Sequence, residues 1–178
     1  MKMLSDYIKL EDGSYSNFRY REFTKSSIAK RFGIKNIPND SNWYNIELLV
    51  QNVLQPIRNE FGPIRITSGF RSVELCRKIG SSPNSNHTRG QAADIEPYDS
   101  SVQLVDIMKF VYDNLEYREL IAEYFPDGWI HVAYRAGDNN KQLKLKDRDH
   151  NYSRVGMEFI QEKYSGKGLP DEMFVIAL

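Results

Sequence analysis

Residues 118–135 read Arg118-Glu119-Leu120-Ile121-Ala122-Glu123-Tyr124-Phe125-Pro126-Asp127-Gly128-Trp129-Ile130-His131-Val132-Ala133-Tyr134-Arg135. Two runs suited to strands, 118–124 and 129–135, flank Pro126-Asp127-Gly128, a strong turn signal. The stretch predicts a β-hairpin late in the chain. Upstream, Gln91–Glu96 is apolar enough for a buried strand, and Ile64–Thr67 is a shorter candidate. Lys141–Lys146 alternates weakly and is a third candidate. Between the strands lie helical patterns. Trp43, Ile46, Val50, Val53, Leu54, Ile57 and Phe61 recur at helical spacing, predicting an amphipathic helix over about 42–61, kinked at Pro56 and stopped by Gly62-Pro63. A short helix is expected from an N-cap at Thr24 to Phe32, another over Ser72–Ile79, and a third through Val102–Tyr112, capped by Ser100 or Ser101. Residues 14–23 read as an extended lead-in. Helices and short strands in this order predict a small α+β domain spanning 1–178, with no role assignable to 150–178.

Composition narrows the function classes. The 178 residues favour one domain, and 40% hydrophobic residues suffice for an ordinary core. Lys plus Arg and Asp plus Glu both number 24, giving zero net charge, which argues against a dedicated nucleic-acid binder. Cys76 is the single cysteine, so no internal disulfide can form. The N-terminus lacks the apolar core of a signal peptide, and no run reaches membrane-spanning length. The expectation is a soluble monomer made in the cytoplasm, without a membrane partner, delivered by other means if its substrate lies outside.

Three histidines occur, two of them in unusual settings. His87 sits in a polar, turn-rich loop, Ser85-Asn86-His87-Thr88-Arg89-Gly90. Asp94 follows inside the apolar run Gln91-Ala92-Ala93-Asp94-Ile95, where a carboxylate is costly unless paired or bound to a cation. His131 lies in the apolar strand Trp129–Tyr134. Two imidazoles and one carboxylate make a three-ligand set that leaves a zinc position open for water. The net charge of such a site stays positive, which lowers the pKa of bound water and polarises a carbonyl. Singly, each residue is readable as ordinary packing or a salt bridge; together they predict a catalytic zinc site.

The blocks Ser68-Gly69-Phe70-Arg71-Ser72, Ser85–Asp94 and Trp129-Ile130-His131-Val132 resemble the zinc D-alanyl-D-alanine carboxypeptidase family, in particular its short phage and prophage peptidases. Phe23–Ala29 and Val53–Arg58 extend the likeness, which covers roughly residues 18–145. The resemblance implies zinc on His87, Asp94 and His131, with Arg71 facing the substrate carbonyl or forming oxyanion. It implies that Ser85 helps hold substrate or the metal's surroundings. It also implies a hedgehog/D-Ala-D-Ala peptidase-like fold, an antiparallel sheet carrying the site and flanked by helices.

Relatives commonly carry a glutamate three residues before the second histidine, where this sequence has Gly128. Glu123 and Asp127 are the candidates to replace it as general base. A three-residue loop at 126–128 would set Phe125 opposite Trp129 and Glu123 opposite His131, so Glu123 is preferred and Asp127 is assigned to the turn tip. Glu119 and Glu96 read as solvated surface residues, and Asp147, Asp149 and His150 as a solvated loop. Tyr98, Tyr124, Trp129 and Tyr134 fit a peptide groove or plain packing equally well. The expected reaction is zinc-assisted hydrolysis of stem peptides in bacterial peptidoglycan. One alternative is a metal-bearing virion module that binds the wall without cutting it. Another is a non-haem iron oxygenase, whose facial triad uses the same residue types; too few strands are expected for its barrel.

Overall fold

Along Gln142–Lys146 Leu143 and Leu145 are buried and their neighbours are not, the period-two pattern of a strand with one face on a core. The computed structural model, which describes residues 6–164, sets this strand in a six-stranded sheet. The strands are β1 (Tyr7–Lys9), β2 (Tyr15–Arg19), β3 (Ile64–Ser68), β4 (Ala92–Pro97), β5 (Glu119–Glu123), β6 (Trp129–Ala133), β7 (Gln142–Lys146) and β8 (Tyr152–Arg154). β1 and β2 pair separately; the large sheet runs β3-β4-β6-β5-β7-β8. Its pairs are antiparallel except β5 with β7, which is parallel. The class is α+β, as expected.

One face of the sheet, with Ala93, Ile95, Leu120, Ala122, Ile130, Val132, Leu143 and Leu145, belongs to the hydrophobic core. Helices α3 (Asp40–Leu49), α4 (Gln55–Phe61), α6 (Leu104–Asn114) and α7 (Met157–Tyr164) contribute the other half. By alternation Asp94, Glu119, Glu123, His131, Lys144 and Lys146 share the opposite face.

The helix expected at 42–61 runs from α3 into α4 through a π-helical turn, Val50–Leu54. Pro56 has no N–H and its ring crowds the preceding turn, so widening the helix just ahead of it accommodates the ring. The Gln55 N–H accordingly reaches back to the Val50 carbonyl. The widened turn keeps Val50, Val53 and Leu54 fully buried.

Two caps differ from expectation. Residues 20–32 form two short helices, α1 (Tyr20–Thr24) and α2 (Ser27–Phe32), and the cap of α2 is Ser26, whose side chain accepts from the Ala29 N–H, not Thr24. α6 starts after Gln103 with no side-chain cap, and Ser101 instead donates its N–H and hydroxyl to the Asp99 carboxylate. α5 (Val73–Lys78) is capped by Ser72. The segment left without a role is partly integral: Met157 and Ile160 of α7 are buried, and the Tyr164 ring meets Phe125 edge-on. The remainder, 165–178, lies outside the described residues.

The hairpin register corrects the sequence reading. Glu123 pairs with Trp129, Ala122 with Ile130, and Ile121, not Glu123, with His131. Tyr124 adopts a left-handed conformation (φ 57°), so the chain leaves the ladder two residues early and the loop covers 124–128. A shift of two preserves side-chain alternation, so Glu123 stays on the face of His131, one diagonal removed. A Cβ on Gly128 would lie 1.7 Å from the Glu123 carbonyl oxygen. Position 128 therefore accepts no side chain, not even a methyl group. Gly128→Ala should lower unfolding stability by about 3 kcal/mol through forced backbone displacement, read from denaturant melts; an unchanged midpoint would contradict this tight approach.

Candidate metal centre

His87 rides on a short 3-10 helix, Asn86–Arg89. Ser85 caps it, its hydroxyl oxygen accepting from the His87 N–H at 3.3 Å. Gly90 ends it in a left-handed conformation (φ 70°), and a Cβ there would come within 2.4 Å of the Asn42 carbonyl oxygen. The helix is thereby pressed against α3, where Asn45 donates to the Arg89 carbonyl. Asp94 and His131 face each other directly across β4 and β6, with Ser68 beyond Asp94 on β3.

Three donor atoms converge from these elements. His87 Nε2 lies 3.2 Å from Asp94 Oδ1 and 3.2 Å from His131 Nδ1, and His131 Nδ1 lies 2.9 Å from Asp94 Oδ1. Among the described residues His87, Asp94 and His131 are the group able to hold a metal ion, and all three are buried. Ligands about 2.0–2.1 Å from a tetrahedral zinc are about 3.3 Å apart, so this triangle matches three vertices and leaves the fourth free.

Each group in the triangle is held by its other end. His87 Nδ1–H donates to the Gly69 carbonyl at 2.6 Å, leaving the Nε2 lone pair turned inward. Asp94 Oδ2 accepts from Arg71 Nη2, while Arg71 Nε donates to Ser68 Oγ at 2.8 Å. Arg71 thus lies against a member of the triangle, with its side chain 18% exposed. Behind His131 stands Glu119. Its Oε2 is 3.5 Å from His131 Nε2 and accepts from Asn86 Nδ2 at 3.1 Å, and its Oε1 accepts from Lys144. Reading Glu119 as a solvated surface residue is therefore corrected. The missed signal was its two-residue offset from Ile121, which could be interpreted only with the register known.

Burial lowers the pKa of His87, an effect Asp94 only partly offsets. Burial also works against a charged His131, but Asp94 and Glu119 overcome it and raise its pKa to about 9. Asp94 is held well below the carboxylate range because the two imidazoles outweigh its burial. Burial likewise opposes ionisation of Glu119, and His131 and Lys144 overcome it, bringing its pKa down to about 2. The metal-free site at neutral pH thus keeps a proton on His131 that a cation must displace. Zinc uptake at pH 7 should release about one proton per chain, and apparent affinity should climb with pH until about 9 and then level; titration in weakly buffered indicator dye measures it, and uptake without proton release would contradict the assignment.

Glu123 is buried and its Oε2 accepts from Lys146 Nζ at 2.8 Å. Asp127 is 80% exposed at the loop tip, where Arg148 pairs with it at 3.3 Å. The Asp147 side chain folds its loop by accepting from the Asp149 and Asn151 N–H groups, and His150 Nδ1 meets the Tyr124 hydroxyl at 2.6 Å. Tyr124 and Trp129 pack edge to face with centroids 5.1 Å apart, beside Glu123. Among the described residues no helix is long and apolar enough to cross a membrane.

A search of curated proteins finds no match. A family model described as Peptidase M15 matches residues 16–141, a span holding the whole His-Asp-His group, Arg71 and Glu123. With most of its length matched and a three-donor metal group within that match, this chain belongs to the peptidase M15 family.

Proposed function

We propose that the protein is a zinc peptidase that hydrolyses stem-peptide bonds of bacterial peptidoglycan. The observation that carries this reading is the triangle of His87 Nε2, Asp94 Oδ1 and His131 Nδ1, with tetrahedral spacing and one vertex free, in a chain of a peptidase family. A cation held there supplies a water of lowered pKa and polarises the scissile carbonyl. Arg71 keeps the outer oxygen of Asp94 neutralised and turns its remaining N–H groups toward the carbonyl oxygen, where negative charge develops. Glu123, fixed at Oε2 by Lys146, accepts the proton of the attacking water and returns it to the leaving amine nitrogen. Ser85 borders the substrate beside His87. The motif resemblance favours a phage or prophage protein that reaches the wall after release or as part of a virion.

Digestion of purified peptidoglycan, with products identified by mass spectrometry, tests the proposal. Free D-alanine marks a carboxypeptidase, and a split stem or cross-bridge marks an endopeptidase; either supports it. Binding to the wall with no new amino groups would overturn it in favour of a wall-binding module.

A further inference from the structure

His87 and His131 enter the triangle through different ring nitrogens, Nε2 for one and Nδ1 for the other. A neutral imidazole has one lone pair, so each ring must place its proton on the outward nitrogen. For His87 the Gly69 carbonyl does this. For His131 the outward nitrogen is Nε2, which is buried and makes no hydrogen bond, with Glu119 Oε2 standing 3.5 Å away. We propose that Glu119 is a positioning residue for the metal: its carboxylate takes the Nε2–H of His131 and so holds the Nδ1 lone pair on the cation. This rests on the zinc reading above.

Three observations support the assignment. Glu119 lies on the diagonal of His131 on the same sheet face, within reach of a long side chain. Its carboxylate is itself held, with Lys144 on Oε1 and Asn86 on Oε2, so it cannot swing away at no cost. Asn86 is the residue before His87, so a single carboxylate oxygen links the 3-10 helix carrying one histidine to the ring of the other. Carboxylates behind metal-bound histidines orient the ring and raise its basicity. Glu119 is not among the side chains whose donor atoms converge as the candidate metal group.

Zinc affinity, read by competition with a chromophoric chelator, tests this without reference to turnover. Glu119→Leu should weaken zinc about 10–100-fold. Glu119→Gln keeps an acceptor for Nε2–H, and Lys144→Met keeps the carboxylate; both should weaken it far less. Wild-type affinity in Glu119→Leu, or equal losses in all three variants, would overturn the proposal, the second because the ion pair rather than the acceptor would then matter. If Glu119→Leu does not fold, nitrogen-15 shifts of the zinc-loaded wild-type protein decide: His131 protonated at Nε2 and bound through Nδ1 is expected, and the reverse refutes it. A wild-type chain that takes up no zinc would instead sink the peptidase reading itself.

Discussion

Glu123→Gln should fold, keep one zinc per chain and lose about 10²–10⁴-fold in turnover on peptidoglycan, the usual worth of a positioned proton acceptor. Glutamine suits this test because its amide oxygen can still accept from Lys146, preserving the contact that fixes the side chain. What it removes is the capacity to hold a proton between attack on the carbonyl and departure of the amine. The other candidates are less suitable for that task. Asp127 is at an exposed loop tip with Arg148, and Glu119 lies behind His131 with both oxygens engaged. Position 128, where the family resemblance would put a glutamate, is closed, because any side chain there would collide with the backbone of Glu123. That collision places residue 128 directly against the Glu123 backbone across the loop. Near-wild-type turnover in Glu123→Gln would transfer the proton to another group.

His131→Ala should abolish both zinc retention and hydrolysis. Two donors remain in the variant, and a pair cannot define a tetrahedral site closed on three sides. Zinc content after dialysis against metal-free buffer should fall to background, with turnover following it. The substitution also removes the imidazole standing between Asp94 and Glu119, leaving those two carboxylates without the group that separates them. The metal-free variant should therefore melt below the metal-free parent near pH 7, where His131 is charged. Tight binding of one zinc by the variant would refute the ligand set, whatever its activity.

Elements legible in the sequence were those with local causes. The apolar spacing of 43–61 marked its helix, and Gly62 marked its end. The helix caps were less legible, because Ser26, Thr24, Ser100 and Ser101 offer the same chemistry and the choice depends on which backbone N–H is left unpaired. Ser101 instead donates its N–H and hydroxyl to Asp99, two residues back. The hairpin failed in a different way. Pro126-Asp127-Gly128 is a good turn sequence, yet Tyr124 bends the chain earlier, and nothing in its residue type announces a positive φ.

The sequence by itself marked out His87, Asp94 and His131 as a group able to hold a cation. A carboxylate and an imidazole inside apolar strands cannot be left unpaired in a core, and that constraint holds without knowing what surrounds them. Tertiary structure alone decided how the remaining carboxylates divide. Glu119 and Glu123 occupy equivalent positions in the alternation of one strand, two residues either side of the partner of His131. Which stands behind the imidazole and which lies beside the loop follows from strand pairing, from the direction the ring turns, and from Asn86, Lys144 and Lys146 arriving from distant segments. These are non-local distances, and a period of two along a strand contains no information about them.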